Sequence, residues 1–186
     1  RAIKTSLVAP HTEIENYGII ENATYGIYAS GWVRVQSIGA TYNNNKQDIY
    51  LTASHTTPLW LHNISGNFFN TTPLSMAIPP TNHVTLNNAH SVTIAGNIFN
   101  NTNALFQYGS PNSRGIGINI INTNTLNYDI DNCTFIGLQY GIKTDFNTDI
   151  HDCHFNNNNR GILLENSNST GSKIIGNFFD SNKWFF

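Results

Sequence analysis

Charge is what this 186-residue chain has least of: nine basic and eleven acidic side chains, 11 % of the residues, leave a net charge of −2. The few Lys and Arg are scattered and build no basic stripe, which argues against nucleic acid as a partner. No apolar run approaches 18 residues, so the segment contains no transmembrane helix. A helical spacing of apolar residues is missing as well, which removes βαβ units from consideration. Only two cysteines are present, Cys133 and Cys153, and their meaning depends on the pattern around them.

What is abundant is asparagine, at 30 copies, and much of it falls in a repeat. The hexapeptide Ile-x-x-(Asn/Cys)-x-Phe occurs five times: Ile64 to Phe69, Ile94 to Phe99, Ile130 to Phe135, Ile150 to Phe155 and Ile174 to Phe179. This composition gives roughly 0.2 such matches by chance, so the chain is built on a repeat. Successive starts lie 30, 36, 20 and 24 residues apart. That fits a coil of about 20 to 24 residues that tolerates loop insertions. Ile14 to Ile19 reads as a degenerate sixth copy.

Within each repeat the residues alternate with period two, Tyr128 with Ile130, Thr148 with Ile150 and Val92 with Ile94, as strands require. Gly-Asn, Asn-Cys or Asp-Cys then interrupts the alternation. The Phe resumes it at an odd step, which demands a bend that Gly and Asn accommodate in the left-handed region. A second strand signal precedes the hexapeptides at Tyr25 to Ser30, Gly115 to Ile120, Tyr140 to Asp145 and Arg160 to Glu165. Such short strands, with no room for crossovers, predict an all-β chain folded as a right-handed parallel β-helix in which identical positions stack every ~4.8 Å.

The (Tyr/Arg)-Gly-Ile … Ile-x-x-Asn-x-Phe coil resembles the parallel β-helix repeat of the pectin-lyase-like superfamily, which holds pectate lyases, polygalacturonases and phage tailspikes. The resemblance runs from about Tyr17 to Asn182. No catalytic signature of the superfamily is legible, so no catalytic residue is carried over from it. About seven or eight coils are expected, a shaft on the order of 35 to 40 Å long. Residues 1–186 are expected to be one β-helix domain, uncapped at both ends and part of a longer protein.

Asn67, Asn97 and Asn177 share one motif position and are expected to form a hydrogen-bonded ladder along the axis. Cys133 and Cys153 take that position in the two coils between, as stacked buried thiols; one coil of separation also places them within reach of a disulfide. Six Asn-x-Ser/Thr sequons, at Asn22, Asn63, Asn70, Asn100, Asn132 and Asn168, match the about five that chance supplies and carry no argument for glycosylation.

Outward positions follow from the inward Ile and Phe. The 20-residue step between the third and fourth hexapeptides stacks Asp129 on Asp149 and Asp131 on His151, with Lys173 after Asp149. It also stacks Asp145 on Glu165 on another strand. Like charges about 5 Å apart repel by roughly 0.8 kcal/mol in water and ~3 kcal/mol at an effective dielectric of 20. A pair of that kind can share a proton and serve as general acid beside a base. Asp145 and Glu165 are therefore the first candidate catalytic pair, and Asp129, Asp131, Asp149 and His151 the rival cluster. Solvated surface carboxylates are the alternative. The resemblance admits Ca²⁺ bound as in pectate lyases; no other cofactor is expected.

A zinc site from His151, Cys153, His154 and Cys133 is not expected, because the alternation points Cys153 and His151 apart. His11, His55, His62, His83 and His90 share no spacing and read as surface or turn residues. Phe69, Phe99, Phe135, Phe155 and Phe179 read as a core stack. Tyr28, Trp32, Tyr50, Trp60 and Tyr140 read as outward or loop-adjacent rings able to bind carbohydrate by stacking. The insertions Pro73 to Asn82 and Gly109 to Gly115 are expected to wall a groove along the shaft.

Three functions follow. The first is a carbohydrate-directed segment, similar to a phage tailspike, that binds a bacterial surface polysaccharide, with cleavage as hydrolase or lyase left open. The second is a non-catalytic structural or adhesive shaft of a virion or cell-surface fibre. The third is a secreted monomeric pectin-lyase-type enzyme. The resemblance implies an extracellular or virion-surface location and a homotrimer for the full-length protein.

Overall fold

The structure is a computed structural model that describes residues 3–54, 61–72, 82–102, 114–121, 128–165 and 171–184, with backbone alone for residues 3–11 and 54. Every regular element among them is a strand. The chain runs through β1 (Ile3–Asn16), β2 (Ile19–Glu21), β3 (Tyr25–Ile38), β4 (Thr41–Asn43), β5 (Gln47–Ser54), β6 (His62–Ser65) and β7 (Phe68–Thr71). It continues through β8 (Asn82–Asn87), β9 (Val92–Ala95), β10 (Ile98–Asn101), β11 (Ile116–Ile121), β12 (Tyr128–Asp131) and β13 (Thr134–Ile136). Last come β14 (Tyr140–Thr144), β15 (Thr148–His151), β16 (His154–Asn156), β17 (Arg160–Leu164), β18 (Ile174–Ile175) and β19 (Phe178–Asp180). No helix here is long and apolar enough to cross a membrane.

All pairings are parallel, in a twelve-stranded and a seven-stranded sheet. From β5 onward each strand pairs with the one three places along the chain. The long β3 pairs with β1 on one side and with two strands on the other, Tyr25 to Gly31 against β5 and Gln36 to Ile38 against β6. The result is a curled, solenoid-like arrangement, compatible with a parallel β-helix.

The repeat explains the core. Ile64, Ile94, Ile130, Ile150 and Ile174 lie in one register column, and the first four are fully buried. The five phenylalanines form the neighbouring column, extended at one end by Tyr42. Successive rings, from Tyr42 to Phe179, stack 4.7 to 4.9 Å apart with tilts of 19° or less. Burial of each such ring contributes about 1.5–3 kcal/mol. The glycine of the preceding strand is fixed by this column: a Cβ on Gly141 would lie 2.6 Å from the Phe155 ring, and one on Gly117 2.7 Å from Phe135.

The expected bend is left-handed in six successive coils. Gly39, Gly66, Gly96, Asn132, Asp152 and Gly176 occupy one turn position with φ between 49° and 68°. The asparagine ladder beside it also forms. Asn97 Oδ1 accepts the Asn67 backbone N–H at 2.9 Å, and each side-chain amide donates to a carbonyl of the coil before it, Asn67 to Ser37 and Asn97 to Ile64. Cys133 and Cys153 continue the column as buried free thiols, with the Cys133 N–H donating to Cys153 Sγ at 3.4 Å. The disulfide alternative is not realised.

Two expectations need correction. Ile14 stands opposite Val35, two residues before the isoleucine position, so Ile14 to Ile19 is not a copy in register. The in-register copy is Ser37 to Tyr42, with Ser37 opposite Ile64 and Tyr42 opposite Phe69. His62 and His83 are buried rather than surface or turn residues. His62 lies inward on β6 and its Nδ1 accepts the Val35 N–H at 3.1 Å. His83 pairs with buried Asp48 at 2.6 Å, against the rings of Phe69 and Phe99.

Candidate functional site

The outer face of β12, β15 and β18 carries the densest set of ionisable groups. Parallel register puts Asp129 beside Asp149 and Asp131 beside His151, as the 20-residue step required. Lys173 follows Asp149: its N–H donates to Asp149 Oδ1 at 3.3 Å and its ammonium lies 4.0 Å from Oδ2. The alternation that buries Ile130 and Ile150 presents these side chains outward.

His151 gathers the acids. Its Nε2 lies 2.8 Å from Asp129 Oδ1, while Nδ1 faces Asp131 Oδ1 at 3.2 Å and Asp152 Oδ2 at 3.3 Å. The hydrogen bond to Asp129, joined by those to Asp152 and the charge of Asp131, raises the His151 pKa above its ordinary value. A protonated imidazole among three carboxylates relieves the repulsion that stacking imposes on them. Asp129, Asp149, His151, Asp152, Lys173 and Ile175 line an open depression of about 500 Å³ on this face.

Asp152 and Ile175 are the members that the sequence reading missed. Asp152 sits in the left-handed turn that other coils give to glycine or asparagine, one residue beyond the strand alternation used to assign faces. The signal was an acid within the motif itself, in IHDCHF.

Asp145 and Glu165 follow β14 and β17 at equivalent places, where the Glu165 N–H donates to the Thr144 carbonyl. Glu165 forms an ion pair with Lys143 at 3.0 Å, and Asp145 is half-buried. Lys143 therefore stands in the site that the sequence reading assigned to two acids.

The five candidate aromatics do not form one platform. Tyr28 and Tyr50 stack at 5.4 Å and 11°, with Tyr25, which the sequence reading did not select, edge-on to both. The Asn87 amide donates to the Tyr50 hydroxyl at 3.2 Å. Tyr140 belongs to a different column, beside Ile116 and Arg160, and Trp32 is exposed on β3 beyond Gly31. Trp60 and most of the two insertions lie outside the described residues. The four-residue zinc set does not converge, because Cys133 and Cys153 are inside while His151 is on the outer face.

The buried Asp48–His83 pair is a second ionisable group. Burial raises the Asp48 pKa, opposed by its hydrogen bond to His83 and by the Asn45 amide at 2.8 Å. Its place between the phenylalanine column and the Asn45 turn suits a structural role. No family model, curated protein or solved structure matches this chain.

Proposed function

We propose that this chain is a right-handed parallel β-helix of about seven coils that works as a carbohydrate-directed shaft, binding a bacterial surface polysaccharide along its β12–β15–β18 face. The observation that supports the reading is the depression around His151. Its carboxylates accept hydrogen bonds from sugar hydroxyls, His151 and Lys173 donate them, and Ile175 offers an apolar surface to a sugar C–H face. The coil repeat suits an extended polymer, since equivalent positions recur along the axis. The stacked Tyr28 and Tyr50, on β3 and β5, supply a separate contact area nearer the start of the chain.

The resemblance to pectin-lyase-like and tailspike shafts supports an extracellular or virion-surface setting and a homotrimer for the full-length protein. A second reading is an adhesive shaft without catalysis, because Glu165 and Asp149 each have a lysine as charged neighbour, at 3.0 and 4.0 Å, as charge-balanced surface carboxylates do.

An array of capsular and cell-wall polysaccharides tests the proposal, with Asp149→Asn and His151→Ala beside the wild type. Binding that both substitutions abolish is the expected result. Binding to no glycan would move the chain to the structural class. Light scattering that gives a monomer for the full-length protein would favour the secreted pectin-lyase-type enzyme.

A further inference from the structure

We infer that Asp131, His151 and Asp152 form a binding site for a first-row divalent metal of the zinc type, oriented by Asp129. His151 Nε2 is 2.8 Å from Asp129, a charge-assisted hydrogen-bond length, which fixes the hydrogen on that nitrogen. Nδ1 is thereby left to the other side of the ring, where two carboxylate oxygens meet it at 3.2 and 3.3 Å. Both distances exceed the 2.7–2.9 Å of a charge-assisted N–H···O bond, and one nitrogen cannot donate one hydrogen well to two acceptors.

The same distances suit a shared cation. Zinc binds imidazole nitrogen at about 2.0–2.1 Å and carboxylate oxygen at about 2.0–2.2 Å, so two ligand atoms on a tetrahedral ion lie about 3.3–3.4 Å apart. The two Nδ1···O separations already have that length. All three ligand atoms lie within 4.8 Å of one another, a span that one ion can draw together by small side-chain rotations. His151 is part-exposed and Asp152 exposed, which gives an ion an entry path and leaves the fourth position to water or a ligand hydroxyl. Carboxylate–histidine–metal order, with Asp129 behind the ring, is the arrangement that holds a metal-binding imidazole in one tautomer. The nitrogen donor separates this site from an all-oxygen calcium site.

The site stands apart from the sugar reading, because its test contains no glycan. Metal-free protein is titrated with ZnCl₂ by calorimetry, and the imidazole nitrogens are followed by NMR. The expected result is one saturable site with zinc on His151 Nδ1 and the hydrogen kept on Nε2. His151→Ala removes it, and Asp152→Asn weakens it at least tenfold; asparagine tolerates the left-handed turn, so the fold is kept. Asp129→Asn weakens binding by about 10- to 100-fold. His154→Ala leaves affinity unchanged, and Ca²⁺ does not displace the zinc. Zinc binding that survives His151→Ala, that is lost with His154→Ala, that uses Nε2, or that Ca²⁺ displaces on equal terms would overturn the assignment, as would the absence of saturable binding.

Discussion

The Tyr42 hydroxyl lies 2.6 Å from the Ser37 hydroxyl, inside the core, where the coil above places Phe69 and Ile64. Asn16 donates to the same tyrosine at 3.0 Å, and Ser37 donates to Asn67 Oδ1 at 3.0 Å, so a polar network replaces one layer of the apolar stack. Burial pushes the Tyr42 pKa up to about 12, with its hydrogen bonds acting the other way. Tyr42→Phe leaves buried partners unsatisfied and should destabilise the chain by about 1–3 kcal/mol. Adding Ser37→Ala should recover part of that loss, with a coupling of at least about 0.5 kcal/mol in urea unfolding. Strict additivity would mean that the two hydroxyls do not act as a unit.

This layer also shows what the sequence could convey. The five hexapeptides were legible because isoleucine, asparagine and phenylalanine each recur at fixed steps, and register then followed from chain length alone. The Asp129–Asp149 and Asp131–His151 pairs came from that arithmetic. Ser37 to Tyr42 keeps the spacing and the turn glycine but changes all three marker residues, so no pattern search finds it. His83 escaped for another reason. Four consecutive residues of β8, His83 to Leu86, are buried, and period-two alternation carries no information where both faces are covered. The ring contacts of His151 depend on side-chain reach across a turn, which register does not specify.

The cysteine layers are replaceable. Asn67 and Asn97 each satisfy both the N–H of one coil and a carbonyl of another, whereas Cys133 and Cys153 offer weak sulfur contacts at 3.3 to 3.8 Å. Cys133→Asn with Cys153→Asn should extend the ladder and raise stability by about 0.5–1.5 kcal/mol per bond gained. A lower thermal midpoint in the double variant would show that the thiols are chosen for volume.

His62 sets a limit on acid stability. Burial, with smaller contributions from Arg34 and His90, lowers its pKa from 6.5 to about 4. The unfolded chain therefore binds this proton more readily than the folded one. The stability is fully present above pH 6.5 and is lost as pH falls toward 4, by about 3 kcal/mol over the window. Urea unfolding at intervals between pH 7 and 4 measures the loss. An NMR midpoint for His62 near 6.5 would contradict the burial argument.

Phe135 sits at the middle of the ring column, between Phe99 and Phe155 at 4.8 and 4.9 Å. Phe135→Ala should cost about 3–5 kcal/mol, by lost transfer energy and by the cavity left between two rings. Phe135→Leu should cost less. An alanine variant with an unchanged unfolding midpoint would mean that the column collapses to fill the gap.

Asp145 and Glu165, the first catalytic candidates, stand at equivalent places after β14 and β17, with Lys143 beside Glu165. Lys143 forms an ion pair with Glu165 at 3.0 Å. Asp129 and Asp149 sit on adjacent strands about 4.8 Å apart, near the separation of carboxylates in retaining glycosidases, and they border the depression. Asp145→Asn and Glu165→Gln should leave glycan binding and any release of reducing ends within about twofold of wild type, since neither lines the depression around His151. Asp149→Asn should abolish both while the far-ultraviolet spectrum stays that of a sheet. Release of unsaturated or reducing sugars that disappears with Glu165→Gln, and survives Asp149→Asn, would return the chemistry to the first pair and remove the His151 depression from the reaction.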